Sequence, residues 1–249
     1  MKRVYLIGDS LMQDYNYLSY PQYGYGSLFR MYAKEDVEVI NLAHAGCSSK
    51  SFLEQGRFKP AFDEIKKGDL LIMEFGNNDE KVNDPKRYTN KDKEFLENIR
   101  YFYDIAIKNK ANAIILTSPA RFIIQNNILI DSHLGYPESL YQYAINNKLN
   151  VIDLNEITKD IYNFVGFDNV RSYHLIYEKN EYYRYSQGVK DTSHYSFKGA
   201  SLICFLILYY SQKFKFYDDY FIEVKDAIKY NPDIIDKKIY DYLNKNFKF

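Results

Sequence analysis

The sequence predicts a three-layer α/β/α domain built on a five-stranded parallel sheet, and two observations predict it. First, five short runs of β-branched and aliphatic residues, each followed by turn signals, have the character of buried parallel strands. These runs are Arg3–Ile7, Val37–Asn41, Asp69–Phe75, Asn112–Thr117 and Leu149–Asp153. Second, segments with helical spacing of apolar residues lie between them. Such alternation of strand and helix implies a doubly wound sheet with right-handed crossovers.

Four segments between the strands are the predicted crossover helices: Gly26–Ala33, Phe52–Lys67, Asp92–Lys108 and Glu138–Asn147. With them, the fold expected is flavodoxin-like. From about Leu154 the strand signals stop, and we expect no further strand.

Ser196 has the character of an N-cap, because a serine there can accept a hydrogen bond from the first helical N–H groups. The helix behind it, Phe197–Lys213, is apolar on nearly every side and should be buried against the sheet.

The chain of 249 residues fits one domain, residues 1–215, with a C-terminal extension. The extension, residues 216–249, is charged and rich in tyrosine, and Asn231-Pro232 divides it into two short predicted helices. We expect it to pack on the same domain.

Composition excludes several classes of partner. Lys+Arg and Asp+Glu balance at 33 each, so no nucleic acid or membrane is expected to be held by net charge. The only cysteines, Cys47 and Cys204, mark neither a disulfide framework nor a metal site.

The longest apolar run, Leu202–Tyr210, is too short to span a bilayer, and a strand at residue 3 leaves no room for a signal peptide. We therefore expect a cytoplasmic protein; nothing in the sequence sets its oligomeric state.

The strongest chemical signal is Ser10, which follows the first strand in Gly8-Asp9-Ser10. A serine just past the carboxyl end of a parallel strand lies where α/β sheets form binding crevices. It becomes a nucleophile only when a base takes its proton. His194 can be that base. Asp191, three residues earlier, can accept from imidazole Nδ1–H, which leaves Nε2 to face the serine.

Donors for a developing oxyanion are also present at the strand ends. Gly46 follows the second strand, and Gly76-Asn77-Asn78-Asp79 follows the third. A glycine at such a turn lets backbone N–H groups approach a ligand closely. The N–H groups of Ser10 and Gly46 and the amide of Asn78 would then surround one oxygen. Asp9 and Asp79 are interpreted as acceptors that order the loops.

Four blocks in this order resemble those of the SGNH (GDSL-like) hydrolases: Gly8-Asp9-Ser10, Gly46, Gly76-Asn77-Asn78-Asp79 and Asp191-Thr192-Ser193-His194. The rhamnogalacturonan acetylesterase-like branch is the most similar, through Ser48–Phe52, Glu54–Arg57, Phe75–Asp79, Thr117–Arg121, Val151–Asn155 and His194–Ser196 with Gly199-Ala200. The resemblance covers most of residues 3–212.

The resemblance implies a serine esterase that needs no metal or organic cofactor and acts on a small-molecule or oligosaccharide ester. It implies Ser10 as nucleophile, His194 as base and Asp191 as its partner, with Ser10, Gly46 and Asn78 lining the oxyanion hole. Cys47 stands where the branch usually has arginine, and Asn77 where it often has histidine. Both departures bear on which acetylated sugar is recognised.

Several interpretations stay open at this point. Arg121 could bind a uronate carboxylate in a bidentate fork, or could form a surface ion pair. The tyrosine-rich run from Tyr173 to Tyr185 could stack on a sugar or simply cover the domain. His44, His133 and His174 are interpreted as structural or surface residues. A lysophospholipase or thioesterase of the same superfamily, and a glycan-binding relative without turnover, are the alternative functions.

Overall fold

The central element is a five-stranded parallel sheet, seen in a computed structural model that describes residues 1–226 and 236–247. Its strands are β1 (Lys2–Gly8), β3 (Val37–Asn41), β4 (Leu70–Glu74), β5 (Asn112–Leu116) and β8 (Val151–Ile152). Their order is β3-β1-β4-β5-β8, so β3, the second of these five strands along the chain, lies at one edge. The predicted fold class is confirmed, as is the position of all five predicted strands.

Helices cover both faces of this sheet. They are α1 (Phe29–Tyr32), α2 (Ser49–Glu54), α3 (Lys59–Glu64), α4 (Glu94–Lys108), α5 (Tyr136–Asn146), α6 (Leu154–Val165), α7 (Phe167–Val170), α8 (Phe197–Ser211) and α9 (Lys237–Asn246).

Two helix predictions need correction. The segment expected as one helix, Phe52–Lys67, is the pair α2 and α3, because Gly56 takes a left-handed φ of 66° between them. The segment Gly26–Ala33 is a 3₁₀ turn, Tyr25–Leu28, that runs into the short helix α1.

Alternate residues of each central strand supply the two hydrophobic cores. In β1, Val4 and Leu6 face the core shared with α6 and α8, whereas Tyr5 and Ile7 face the core shared with α4 and α5. Helix α8 is buried along nearly its whole length, and the Ser196 hydroxyl accepts the Gly199 N–H at 3.3 Å, as the predicted N-cap requires.

The expectation that strands end near Leu154 is wrong. A second, antiparallel sheet contains β2 (Gln22–Tyr23), β10 (Val189–Ser196) and β9 (His174–Tyr177), in that order. The sequence of β10, VKDTSHYS, is polar and only partly buried, so it lacks the apolar run of a central strand. A third pairing joins β6 (Ile124–Gln125) to β7 (Ile128–Leu129).

Described residues of the extension contact the core that holds α8. Tyr217, Tyr220 and Phe221 are buried there, and α9 adds Ile239 and Leu243. The Asn231-Pro232 break lies outside the described residues. Among residues 1–226 and 236–247, no helix combines the length and apolar character needed to cross a bilayer.

Candidate active site

The turn after β1 presents Ser10 at the carboxyl edge of the parallel sheet. The Asp9 carboxylate accepts the Leu11 N–H at 2.9 Å, and the Tyr15 hydroxyl donates to the Ser10 carbonyl at 3.0 Å. Gly8 is required here, because a Cβ at this position would lie 2.8 Å from the Glu74 carbonyl oxygen. Close strand packing and a hydrogen-bonded turn therefore fix the serine, which stays half-buried.

Strand β10 brings His194 and Asp191 to that serine. His194 Nε2 lies 2.9 Å from Ser10 Oγ, and His194 Nδ1 lies 2.7 Å from Asp191 Oδ2. The other oxygen of Asp191 accepts the backbone N–H groups of Ser193 and His194 at 2.9 and 3.0 Å. The structure thus places the three predicted residues in one hydrogen-bonded chain.

Charge and burial act against each other in this pair. Burial raises the pKa of Asp191, but hydrogen bonds and the charge of His194 outweigh it and hold that pKa well below its usual range. Burial lowers the pKa of His194, yet the hydrogen bond and charge of Asp191 exceed this effect and leave the His194 pKa raised. The geometry therefore favours a carboxylate beside a more basic imidazole.

His174, interpreted from the sequence as structural or surface, supports His194 from the neighbouring strand. Its Nδ1 lies 3.3 Å from the His194 carbonyl oxygen, and its Nε2 lies 3.0 Å from the Tyr162 hydroxyl. Burial lowers the His174 pKa to about 4, so the ring is neutral near pH 7. Because a carbonyl only accepts, Nδ1 carries the proton and Nε2 accepts from Tyr162.

The three predicted oxyanion donors lie on loops that Asn78 ties together. Asn78 Nδ2 is 3.0 Å from the Cys47 carbonyl oxygen and 3.3 Å from Asp9 Oδ2. Gly46, in the exposed turn after β3, has a φ of 77° that favours glycine. Donation from Asn78 to a bound oxygen would replace one of its two present acceptors.

Buried carboxyl groups surround the turn that carries Asn78. Glu74 accepts from the Ser118 hydroxyl at 2.6 Å, and burial, followed by the charge of Asp9, raises the Glu74 pKa well above its usual value. Asp79 accepts from Ser49 and Thr89, and burial raises its pKa to about 6. Asp9 and Asp79 both act as acceptors that order loops.

Arg121 forms an ion pair rather than standing free beside the serine. Its guanidinium contacts the Glu80 carboxylate and lies 3.2 Å from Asn77 Oδ1, and its side chain is 15% exposed. Nδ1 of His133, whose ring is buried, lies 3.3 Å from the other carboxylate oxygen of Glu80. Sequence reasoning missed Glu80, although an acidic residue directly after the Gly76–Asp79 block was a usable signal.

The remaining candidate groups do not assemble into another centre. Cys47 is buried, and that burial raises its pKa. Within the described ranges, no three His, Cys, Asp or Glu side chains are grouped so that they could hold a metal ion.

Curated relatives of this chain include two proteins of Bacillus subtilis. The rhamnogalacturonan acetylesterase RhgT is 32% identical over 206 residues, which cover 82% of this chain and 87% of RhgT. The probable rhamnogalacturonan acetylesterase YesY is 30% identical over 204 residues, which cover 82% of this chain and 89% of YesY.

Solved structures share the fold. The crystal structure of Bacillus subtilis YxiM matches with a TM-score of 0.71 at 22% identity, covering 85% of this chain and 56% of YxiM. A mutant of Axe2, an acetyl-xylooligosaccharide esterase from a Geobacillus species, matches with a TM-score of 0.56 at 13% identity, covering 84% of this chain and 93% of Axe2. Residues 4–205 match the sequence family described as GDSL-like lipase/acylhydrolase, and the chain belongs to that family.

Proposed function

We propose that this protein is a serine esterase that removes O-acetyl groups from oligosaccharides of the rhamnogalacturonan, pectin or xylan type. The observation that carries the proposal is the chain of contacts from Ser10 Oγ to His194 Nε2, 2.9 Å, and from His194 Nδ1 to Asp191, 2.7 Å. Those distances suit proton transfer from a hydroxyl to an oriented imidazole.

In the proposed reaction, His194 takes the Ser10 proton as the serine oxygen attacks the acetyl carbonyl carbon. The bond from the acetyl carbon to the sugar oxygen breaks, His194 gives that proton to the leaving sugar oxygen, and an acetyl-serine remains. His194 then deprotonates a water molecule that attacks the acetyl carbon; the bond to Ser10 Oγ breaks, His194 returns the proton to Ser10 Oγ, and acetic acid leaves and ionises to acetate. Asp191 stays ionised throughout and stabilises the imidazolium that forms in each half of the cycle.

The backbone N–H groups of Ser10 and Gly46 and the side-chain amide of Asn78 are the proposed donors to the oxyanion. The contacts of Asn78 with the Ser10 and Gly46 loops support this assignment. Such preorganised donors typically account for roughly 10²–10³-fold in kcat each.

The substrate class rests on two further supports. RhgT, at 32% identity, is named a rhamnogalacturonan acetylesterase, and YesY, at 30% identity, is named a probable one. The His194 and Asp191 side chains are 30% and 31% exposed, so the reacting centre lies near the surface, where a bulky glycan can approach. Asn77 and Arg121 are proposed to border the sugar, with any uronate carboxylate sharing the guanidinium with Glu80.

The experiment is acetate release from p-nitrophenyl acetate and from acetylated pectin, xylan and amino-sugar oligosaccharides. We expect Ser10→Ala to lower kcat by roughly 10⁴-fold or more. Ser139→Ala is the matched control, because its hydroxyl bonds only to the Lys91–Asp92 turn.

Two outcomes would contradict the proposal. A wild type no faster than Ser10→Ala would indicate a glycan-binding protein without turnover. Activity that rises steadily from acetyl to octanoyl esters would favour a lysophospholipase or thioesterase.

A further inference from the structure

Five tyrosines form a continuous aromatic surface beyond the end of the antiparallel sheet. Their ring centroids lie 6.1 Å apart for Tyr20 and Tyr182, and 5.3 Å for both Tyr177 with Tyr182 and Tyr182 with Tyr183. Tyr177 and Tyr185 stack at 5.8 Å with an interplanar angle of 14°. We call this group the tyrosine patch: Tyr20, Tyr177, Tyr182, Tyr183 and Tyr185.

The patch is partly open to solvent. Tyr183 is 84% exposed and Tyr20 is 49% exposed, whereas the other three tyrosines are half-buried. Contacts between the rings hold them in place, and a contiguous exposed aromatic surface of this kind is a candidate binding site.

The two segments that carry the patch also carry the proposed catalytic residues. Tyr20 lies on the segment that runs from Ser10 to β2, and Tyr182, Tyr183 and Tyr185 lie in the loop that joins β9 to β10. Tyr177 pairs with Val189, which precedes Asp191 by two residues, or about 7 Å along the strand. The patch therefore adjoins the hairpin that carries Asp191 and His194, with one ladder pair between those of Tyr177 and Asp191, on the side away from His194.

We propose that the tyrosine patch is a subsite for the glycan chain that flanks the acetylated sugar. This inference rests on the proposed function, since it assumes that the ester substrate is an oligosaccharide. A pyranose ring presents a face of C–H groups with hydroxyls around its edge. A tyrosine presents an apolar ring with a hydroxyl at its tip, so the two surfaces match in polarity. The occupant is thus a chain of at least three sugars, with one in the active site and the others on the rings.

The kinetic test compares a long and a short substrate in the same variants. For Tyr183→Ala and Tyr20→Ala, we expect KM for an acetylated oligosaccharide of three or more sugars to rise roughly 2- to 10-fold. The same variants should hydrolyse p-nitrophenyl acetate like the wild type, and Tyr183→Phe should keep the low KM. Tyr101→Ala on α4, a tyrosine that is 48% exposed, is the matched control. Equal changes with both substrates, or none with either, would overturn the inference.

A binding measurement separates this inference from the proposed function. Titration calorimetry of Ser10→Ala with deacetylated oligosaccharides of increasing length should show affinity that grows with length and falls in Ser10→Ala/Tyr183→Ala. If that pattern holds while the wild type releases no acetate, the proposed function fails and the subsite stands. If acetate release depends on Ser10, but the affinity changes with neither oligosaccharide length nor the Tyr183 substitution, the subsite inference is wrong and the proposed function stands. Self-association in sedimentation that Tyr183→Ala abolishes would instead make the patch a contact between copies, and would also overturn it.

Discussion

At the scale of single residues, Asp191 has two tasks at once. One oxygen accepts from the His194 ring at 2.7 Å, and the other accepts the backbone N–H groups of Ser193 and His194. The first contact orients the imidazole and makes it more basic, and the second shapes the backbone that carries it. Replacing Asp191 by asparagine removes the charge and keeps the shape of the side chain, so it separates the effect on the imidazole from the effect on the backbone.

We expect Asp191→Asn to lower kcat for p-nitrophenyl acetate by roughly 10⁴-fold, because the amide no longer selects the required tautomer. In the proposed mechanism the neutral form of His194 is the base, so wild-type activity should increase as pH rises through the His194 pKa, which Asp191 holds above the usual value for histidine. Without the carboxylate that raises this pKa, the midpoint of residual activity should move to lower pH. Rates measured from about pH 5 to about pH 9 test this.

Asp104→Asn is the control for that profile, because Asp104 pairs with Arg100 on the surface of α4. An unchanged midpoint in Asp191→Asn would show that Asp191 does not set the basicity of His194.

Four short blocks of the sequence predicted that Ser10, Asp191 and His194 would come together. No such block predicted the partners of His174 and Glu80. His174 bonds to a carbonyl 20 residues away, and Glu80 meets Arg121 across 41 residues. No local pattern encodes such contacts, because they depend on how separate loops converge after folding.

At the scale of elements, the irregularity in β10 decides where His194 points. The pairing of β10 with β9 shifts between Asp191 and Tyr195, so the segment between them leaves the regular ladder. Bulges of this kind commonly re-aim a side chain beside an active site. The hydrogen bond from His174 to the His194 carbonyl oxygen spans the irregular segment.

We expect His174→Phe to reduce kcat roughly 10- to 100-fold with little change in KM, because His194 loses its backbone support. The phenyl ring can keep the stacking on Phe122, seen at 5.8 Å, but it makes no hydrogen bond to the Tyr162 hydroxyl or to the His194 carbonyl. The unfolding free energy should fall by about 1–3 kcal/mol.

His174→Asn is the comparison for that variant, since its amide can still donate to the His194 carbonyl, and it should recover much of kcat. Steady-state kinetics and urea denaturation on both variants measure the two effects. Equal kcat in His174→Phe and His174→Asn would assign His174 to stability alone.

At the scale of the whole molecule, the parallel sheet was predictable and the antiparallel sheet was not. The central strands are buried on both faces, so continuous apolar runs reveal them, as in β4. Strand β10 has few apolar residues, because it is only partly buried and carries polar side chains to the site. The polar residues that supply the chemistry also leave β10 without the apolar run by which a strand is recognised in the sequence.

The extension after residue 215 is proposed to be part of the same folded unit. Its helix α9 places Leu243 in the core beside α8, and Tyr209 Oη lies 3.0 Å from Asn244 Oδ1. On the other side, Tyr242 stacks on Phe164 with ring centroids 4.0 Å apart.

We expect Leu243→Ala to lower the unfolding free energy by about 2–5 kcal/mol, because it leaves a cavity in a core shared with the sheet. Urea denaturation should show one transition with a lower midpoint and unchanged slope, while kcat for p-nitrophenyl acetate stays near that of the wild type. Lys245→Ala, at an exposed position of the same helix, is the control. Two separate transitions would mean that the extension unfolds independently of residues 1–215.

The contact between residues 10 and 194 has a consequence for biosynthesis. A ribosome translates the strand that precedes Ser10 before the rest of the parallel sheet, and the β9–β10 hairpin only after that sheet is complete. Until β10 has been translated, the nascent chain contains the Ser10 hydroxyl but not the His194 imidazole. The geometry required for turnover therefore arises late, when most of the domain already exists to hold it.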